Sequence, residues 1–254
     1  MKSNTDYKNA ALAALKGNWA KAVLATVVVF FVVYLSMGPY LVNSFRMQTY
    51  MQENMGTASG SLFSIFTQSM NRAMALAQDP EYLALSQKTS GTMGLYYLLM
   101  IFVVLPMELG FANALLRLLT RGEDDVLGNT SRIATKNYWH KMWGMFLMEL
   151  FIILWSFLLI IPGIIKAFSY AMTPYILEEN PELSASEAID RSRAMMKGHK
   201  FDLFWLLLSF IGWGILCIFT FGIGFLWLTP YMQTSIGAFY EDVKADYEIN
   251  GGLV

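Results

Sequence analysis

Ala20-Lys-Ala-Val-Leu-Ala-Thr-Val-Val-Val-Phe-Phe-Val-Val-Tyr-Leu-Ser-Met-Gly-Pro-Tyr-Leu-Val42 carries no charged side chain after Lys21. A bilayer core about 30 Å thick is crossed by roughly 20 apolar residues in a helix. The stretch is therefore long enough to span. It is too long for a signal-peptide core and lacks a clean small-residue cleavage site, so it reads as a retained span.

Working outward, three further apolar runs appear. Met93–Leu119 is interrupted by Pro106 and Glu108. Met142–Leu177 is too long for one span, and Pro162–Gly163 lies near its middle. Proline has no amide proton to continue a helix, so this run is expected to divide into a span ending at Ile161 and a return from Ile164. Phe201–Tyr240 is expected to divide likewise at Phe221-Gly222-Ile223-Gly224. The expected fold is an all-α integral membrane bundle of about six spans in three hairpins, forming a single membrane domain over residues 1–254.

Composition agrees with that class. The 254 residues are 56% hydrophobic and 15% charged, with a mean hydropathy of +0.43, whereas soluble domains carry about 25% charge. A net charge of −1 gives no basic excess for nucleic acid. The single cysteine, Cys217, excludes an internal disulfide and a cysteine-based metal cluster. The 17 methionines are spread along the chain and read as adaptable packing residues.

Lysine and arginine resist translocation and so set orientation. Lys2, Lys8, Lys16 and Lys21, then Arg117, Arg121, Arg132, Lys136 and Lys141, then Arg191, Arg193, Lys197 and Lys200, and finally Lys244 all fall on one side of a six-span arrangement. The other side holds only Arg46, Arg72 and Lys88. Both termini are thus expected in the cytoplasm. Aromatic residues including Trp19, Tyr40, Tyr96, Tyr138, Trp143, Tyr175 and Tyr240 lie near the span ends, where amphipathic rings prefer the headgroup region.

Three segments lie outside the spans. In residues 1–19, Asn4-Thr5-Asp6 offers an N-cap to a helix carrying Tyr7, Ala11, Leu12, Leu15 and Trp19 on one face. It is either an extension of the first span or a short helix in the inner leaflet. Residues 43–92 form the one sizeable extracytoplasmic piece, with a helix over Ser61–Leu76 set off by Gly56-Thr-Ala-Ser-Gly60; a small helical cap is the simplest reading. In residues 178–200, Ser184 and Glu187 have capping-box spacing, Ala188, Ile189, Ser192, Met195 and Met196 share a face, and Gly198 supplies a stop. This is a short amphipathic cytoplasmic helix.

A pattern recurs in the last two hairpins. Trp155 precedes Pro162-Gly163-Ile164 and Thr173-Pro174-Tyr175, as Trp213 precedes Gly222-Ile223-Gly224 and Thr229-Pro230-Tyr231. The stretch from Ile161-Pro-Gly-Ile164 through Tyr170, Thr173-Pro-Tyr175, Ala188, Ser192, Gly198 and Phe201 resembles the bacterial membrane proteins grouped as domain of unknown function 975. Ser209-Phe-Ile-Gly-Trp213, Gly222-Ile-Gly224, Pro230-Tyr231 and Ala238-Phe-Tyr240 continue the likeness in order. The resemblance covers essentially the whole chain, most strongly residues 140–240. It implies bacterial origin, and hence the inner membrane, and a multi-pass fold; it brings no catalytic residues.

Glu108, Glu149 and Lys166 are ionisable residues inside expected spans. Each charge near a bilayer centre costs at least ~2.5–3.5 kcal/mol, so each needs a partner or water. Glu108 and Glu149 lie eight or nine residues from the cytoplasmic ends of their helices, so both should sit roughly 12–14 Å deep. At matching depth they form a cation or proton site, or else each faces a polar interhelical contact or snorkels to the inner surface. Lys166, one turn from Pro162–Gly163, is expected to snorkel outward. Pro106, Pro162, Gly163, Pro174, Gly222, Gly224 and Pro230 are expected helix-breaking positions.

Enzymatic motifs are missing. No H-E-x-x-H or nucleotide-binding G-x-x-x-x-G-K-[ST] occurs, His140 and His199 lie among basic residues, and no cofactor motif is present. Two functional expectations follow. One is a non-catalytic interaction, scaffold or lipid-associated protein. Its contact surface would be Arg191, Arg193 and Lys197, facing the lipid bilayer and a protein partner or second copy. The other is a small transporter or permease with a polar pathway beside Glu108 and Glu149.

Overall fold

The computed structural model describes residues 1–55, 61–131 and 137–249. Gly56–Gly60 and the cations Arg132 and Lys136 lie outside them. Every regular element among the described residues is helical, so the fold is all-α. In order these are α1 (Asn4–Leu15), α2 (Trp19–Met55), α3 (Leu62–Leu76), α4 (Pro80–Leu99), α5 (Leu105–Arg121), α6 (Val126–Ser131) and α7 (Tyr138–Leu158). They continue as α8 (Ile160–Tyr170), α9 (Thr173–Glu179), α10 (Ala185–Met195), α11 (Lys200–Leu208), α12 (Ile211–Phe219) and α13 (Phe225–Ile249). One π-helical turn, Met100–Val104, links α4 to α5.

Five helical segments among the described residues are long and apolar enough to cross a membrane: Trp19–Asn54, Pro80–Arg121, Tyr138–Leu158, Ile160–Glu179 and Lys200–Phe219. This is a membrane helical bundle. The expected sixth span, α13, is not among the five. Its apolar start runs to Tyr240, and Glu241, Asp242, Lys244, Asp246 and Glu248 then charge the remaining turns of the same helix.

The chain forms two compact units, Phe31–Met100 and Met1–Phe30 with Ile101–Val254. Within the first, the segment expected as a loop is mostly helix: α2 runs on to Met55, and α4 already begins at Pro80. Asn43 donates to Thr92 at 3.3 Å, and the Tyr40 and Tyr96 rings stack at 6.4 Å. The expected helix over Ser61–Leu76 is α3, with Ser61 as its N-cap accepting from the Ser64 amide. Its Leu62, Phe63, Phe66, Met70 and Met74 are exposed.

In the second unit, α5 packs against α1, α6, α7, α9 and α13. The N-terminal helix is a separate element and not an extension of the first span. Gly17, at φ +84°, ends α1 before α2 begins, and α1 packs on α13 and α5 with Tyr7, Ala11 and Leu15 buried. The Tyr7 hydroxyl and the Lys2 amide both donate to Asp242. Its cap is Ser3, one residue ahead of the expected Asn4, in a capping box with Asp6.

The break between the third and fourth spans falls at Leu159, which is extended (φ −161°, ψ 140°), and not at Pro162–Gly163. The reason is local. The first amides of a helix lack intrahelical acceptors anyway, so proline is tolerated in the opening turn. Pro162 sits there, and the chain turns ahead of it. Gly163 instead allows close helix packing. A Cβ at this position would lie 2.2 Å from Ser156 Oγ and 2.7 Å from its Cα, so α7 and α8 meet closely across it. The last turn does follow the glycines, with Phe221 at φ +52° and Gly222 at φ +85°. A Cβ on Gly224 would meet Cys217 Sγ at 2.7 Å.

The recurrent Thr-Pro-Tyr sequences are used differently. Thr173–Pro174–Tyr175 opens α9, with Pro174 in its first turn, whereas Pro230 lies inside α13. The ring of Tyr175 stacks on Tyr240 at 4.8 Å, and that of Tyr231 meets Phe210 edge-on at 5.2 Å.

Candidate functional site

Two layers of polar groups cross the second unit. The outer one is a charged layer at the end of the bundle, built on Glu178 and Glu179 of α9. Glu178 pairs with Arg117 of α5 at 2.7 Å and with Lys141 of α7, a residue only 6% exposed. Glu179 accepts from the Tyr240 hydroxyl at 2.6 Å and from Lys244 at 2.7 Å, both on α13. One turn in from the Arg117–Glu178 pair, Asn113 donates to the Pro174 carbonyl at 3.2 Å. These contacts repeat at i and i+4 on both helices, so α5 and α9 are held in register at two successive turns. Sequence reading missed this hub. The adjacent carboxylates are visible in the sequence, but their cations come from positions 61 residues before Glu178 and 65 after Glu179.

That layer fixes the depth of the second one. Arg117 and Lys141 meet on a single carboxylate, so the two helices share a reference level there. Glu108 lies nine residues beyond Arg117, and Glu149 eight beyond Lys141. At the helical rise these are about 13.5 and 12 Å inward. The structure brings the pair within electrostatic range of each other. Among the described residues, no hydrogen bond or ion pair engages either carboxyl. Glu149 is half-buried; Glu108 is exposed, opening on a cavity of about 260 Å³ whose wall includes Thr26, Phe111, Thr229 and Gln233.

Two helix breaks in this unit have backbone groups satisfied by side chains. Pro106, two residues before Glu108, cannot donate to the Phe102 carbonyl one turn back, and the Tyr138 hydroxyl donates to that carbonyl instead. The backbone between α8 and α9 is completed by a single side chain. Ser192 of α10 accepts from the Met172 amide at 3.2 Å and donates to the Ser169 carbonyl at 2.9 Å.

The remaining sequence candidates lie elsewhere. The Lys166 ammonium is over the Trp155 ring at 4.6 Å and near Tyr170 at 5.9 Å. The α10 capping box forms, with Glu187 bonded to the Ser184 amide at 2.7 Å. Serine donors to Glu187, the side chain first, hold its carboxyl below the ordinary value. Of the cations expected as a contact surface, Arg191 of α10 turns to Asn180 at 3.1 Å, Arg193 of α10 pairs with Asp190 at 3.0 Å, and Lys197, two residues past the helix, is exposed. Gly222, Gly224, Pro162 and Pro174 are turn or first-turn positions. No group of three metal-ligating side chains occurs among the described residues.

A family model described as "Protein of unknown function (DUF975)" matches residues 1–247. The chain belongs to this family. Membership spans both compact units and the whole of the two polar layers, and it agrees with the resemblance carried by the Ile161–Tyr240 motifs. No curated protein and no solved structure matches the chain.

Proposed function

We propose that this membrane protein is a small transporter or permease in which Glu108 and Glu149 hold a cation or a proton on its way across the bilayer. One observation carries the reading: two carboxyls at matching depth, inside apolar helices, within range of each other and without a protein partner among the described residues. Each unpaired charge at such depth costs at least ~2.5–3.5 kcal/mol, and a bound cation or a shared proton removes much of that cost. The cavity beside Glu108 gives such a solute room, and Thr26, Thr229 and Gln233 give its wall polar atoms. The Lys2 amide donates to Asp242 of α13 and the lysine and arginine residues concentrate on that side, which supports both chain ends and the Glu178 layer lying at the cytoplasmic face of a bacterial inner membrane.

The alternative of an interaction or scaffold protein draws on a different observation, the exposed apolar stripe of α3. It draws less on α10, whose Ala188, Ile189, Ser192 and Met195 are buried within the bundle and whose Arg191 is committed to Asn180.

The test is full-length protein in liposomes with an internal pH dye, challenged with gradients of sodium, potassium and tetramethylammonium. Glu108→Gln and Glu149→Gln should each abolish cation-driven pH change, with Arg191→Glu/Arg193→Glu retaining it. The reverse pattern would sink the transporter reading.

A further inference from the structure

The last hairpin, α11 and α12 returning through α13, has an apolar tip. Between Asp202 and Glu241 no Asp, Glu, Lys, Arg or His occurs. At the turn Phe219, Phe221 and Ile223 are 77%, 99% and 60% exposed. Thr220 is the one polar side chain from Phe219 to Phe225, and it faces the backbone. Its hydroxyl donates to the Cys217 carbonyl at 2.7 Å and accepts from the Gly224 amide at 2.9 Å.

The amides of this turn need no water. The opening amides of a helix ordinarily lack intrahelical acceptors. Those of α13 find them within the turn: Phe225 donates to Gly222 at 3.1 Å, Leu226 to Ile223 at 3.1 Å and Trp227 to Gly224 at 3.2 Å. Every amide from Thr220 to Leu228 donates inside the hairpin in this way. Chain lying in hydrocarbon has to satisfy its polar backbone groups internally.

The hairpin is also short. Tyr240, bonded to Glu179, lies at the charged layer, and the charges that follow it on α13 from Glu241 onward mark that layer as the near edge of the hydrocarbon. Phe225, where α13 begins, is fifteen residues back from Tyr240, a rise of about 22 Å. The other arm agrees. His199 meets Asp246 at 3.2 Å, six residues beyond Tyr240, so α11 starts about 9 Å outside the layer. Lys200–Phe219 has the length of a span, but only about 20 Å of its rise lies inward of the layer. Both arms end roughly 8–10 Å short of the far edge of a core about 30 Å thick.

We propose that the last hairpin is re-entrant: it enters the bilayer from the charged-layer side, turns at Thr220–Gly224 inside the hydrocarbon of the far leaflet, and returns without meeting water. The partner of its tip is the acyl chains of that leaflet, which pack on Phe219, Phe221 and Ile223. The two arms are then half-spans in place of the expected fifth and sixth spans, and the chain still returns to the side it left. Bilayer thickness sets the distance from the tip to water, so thickness is the variable that exposes it. The hairpin stands independently of the carboxylate reading.

The experiment uses the full chain carrying Cys217→Ala in dioleoylphosphatidylcholine liposomes, with a nitroxide attached at Phe221→Cys, Ile223→Cys or, as the exposed reference on α10, Ser186→Cys. Power saturation reads collisions with oxygen, which concentrates in hydrocarbon, and with anionic chromium oxalate, supplied on both faces and confined to water. Chromium oxalate collisions at Phe221 and Ile223 should be about tenfold or more below those at Ser186, because a charge is costly in hydrocarbon. Oxygen collisions should be higher at the tip than at Ser186. In thinner dimyristoleoyl bilayers the chromium oxalate response at Phe221 should rise while that at Ser186 stays put. Ile223→Cys keeps the test open if the left-handed backbone at Phe221 rejects the label, and circular dichroism checks that each variant is folded. A chromium oxalate response at the tip equal to that at Ser186 would place the turn in water and overturn the proposal. Low collisions with both reagents would mean that protein, such as a second copy, covers the tip, and would overturn the lipid contact. No rise in the thinner bilayer would overturn the depth derived from the two arms.

Discussion

Replacing Glu178 by glutamine keeps shape and removes the charge that Arg117 and Lys141 share. Lys141 is only 6% exposed, so it cannot regain full hydration once its partner is neutral. Breaking a buried pair by removing one member costs about 3–5 kcal/mol, because a charge is left uncompensated in a poor dielectric. Arg117 is less affected, since Glu123 stands 3.9 Å away. The expected loss for Glu178→Gln is thus about 3–5 kcal/mol. The control is Asp190→Asn, whose pair with Arg193 has side chains 54% and 58% exposed and whose loss should cost about 0–1 kcal/mol. Reversible unfolding in mixed micelles, followed by circular dichroism, measures both. Adding Lys141→Met to Glu178→Gln should recover much of the loss, since no lone buried charge then remains. If Glu178→Gln cost no more than Asp190→Asn, or if the double variant were additive, the charged layer would not be what joins α5, α7 and α9.

Three further outcomes follow from the packing and the termini. Gly163→Ala should destabilise by about 1–3 kcal/mol, since its Cβ would strike the Ser156 backbone, while Gly212→Ala and Gly214→Ala meet nothing within 4 Å and should be neutral or stabilising by about 0.5–1 kcal/mol; the same micelle assay separates them. Burial opposes ionisation of Asp242, but the Tyr7 hydroxyl and the Lys2 amide outweigh it and hold its carboxyl below the ordinary 3.8. A depressed carboxyl stabilises above its unfolded value and loses that contribution as pH falls through the folded one, so hydrogen exchange in α1 should speed up only in that acidic window, and Tyr7→Phe should weaken the effect. Ser192→Ala should cost about 1–3 kcal/mol by leaving the Met172 amide and the Ser169 carbonyl unpaired, whereas Ser186→Ala on the exposed face of α10 should change little in the same unfolding assay.

Much of this fold is legible in local signals. Ser184 and Glu187 satisfy each other within one turn, so their spacing alone marks the start of α10, and Gly222 marks the last turn because a left-handed backbone closes it. Depth matching of Glu108 and Glu149 is legible for a related reason: helical rise is uniform, and nearby cations mark where it begins. What cannot be read depends on partners far along the chain. Glu178 shows nothing in sequence of Arg117 or Lys141, and α1 gives no sign that its Tyr7 face meets Asp242 near the other end. The break at Leu159 is hidden because a proline suits the far side of a turn as well as the turn itself, and Pro162 draws attention away from the residue that bends.

Ser192 also sets an order of events during synthesis. The corner it completes, at Met172 and Ser169, is made 20 and 23 residues earlier in the chain. Until α10 emerges and folds back, that corner carries an amide and a carbonyl without their Ser192 partner, between α8 and α9 within the fourth span. The ribosome thus delivers the fourth span unfinished. Its commitment to one geometry coincides with the folding of the loop that follows it, so a stalled or truncated chain ending before Ser192 would hold a span still able to slide or turn back.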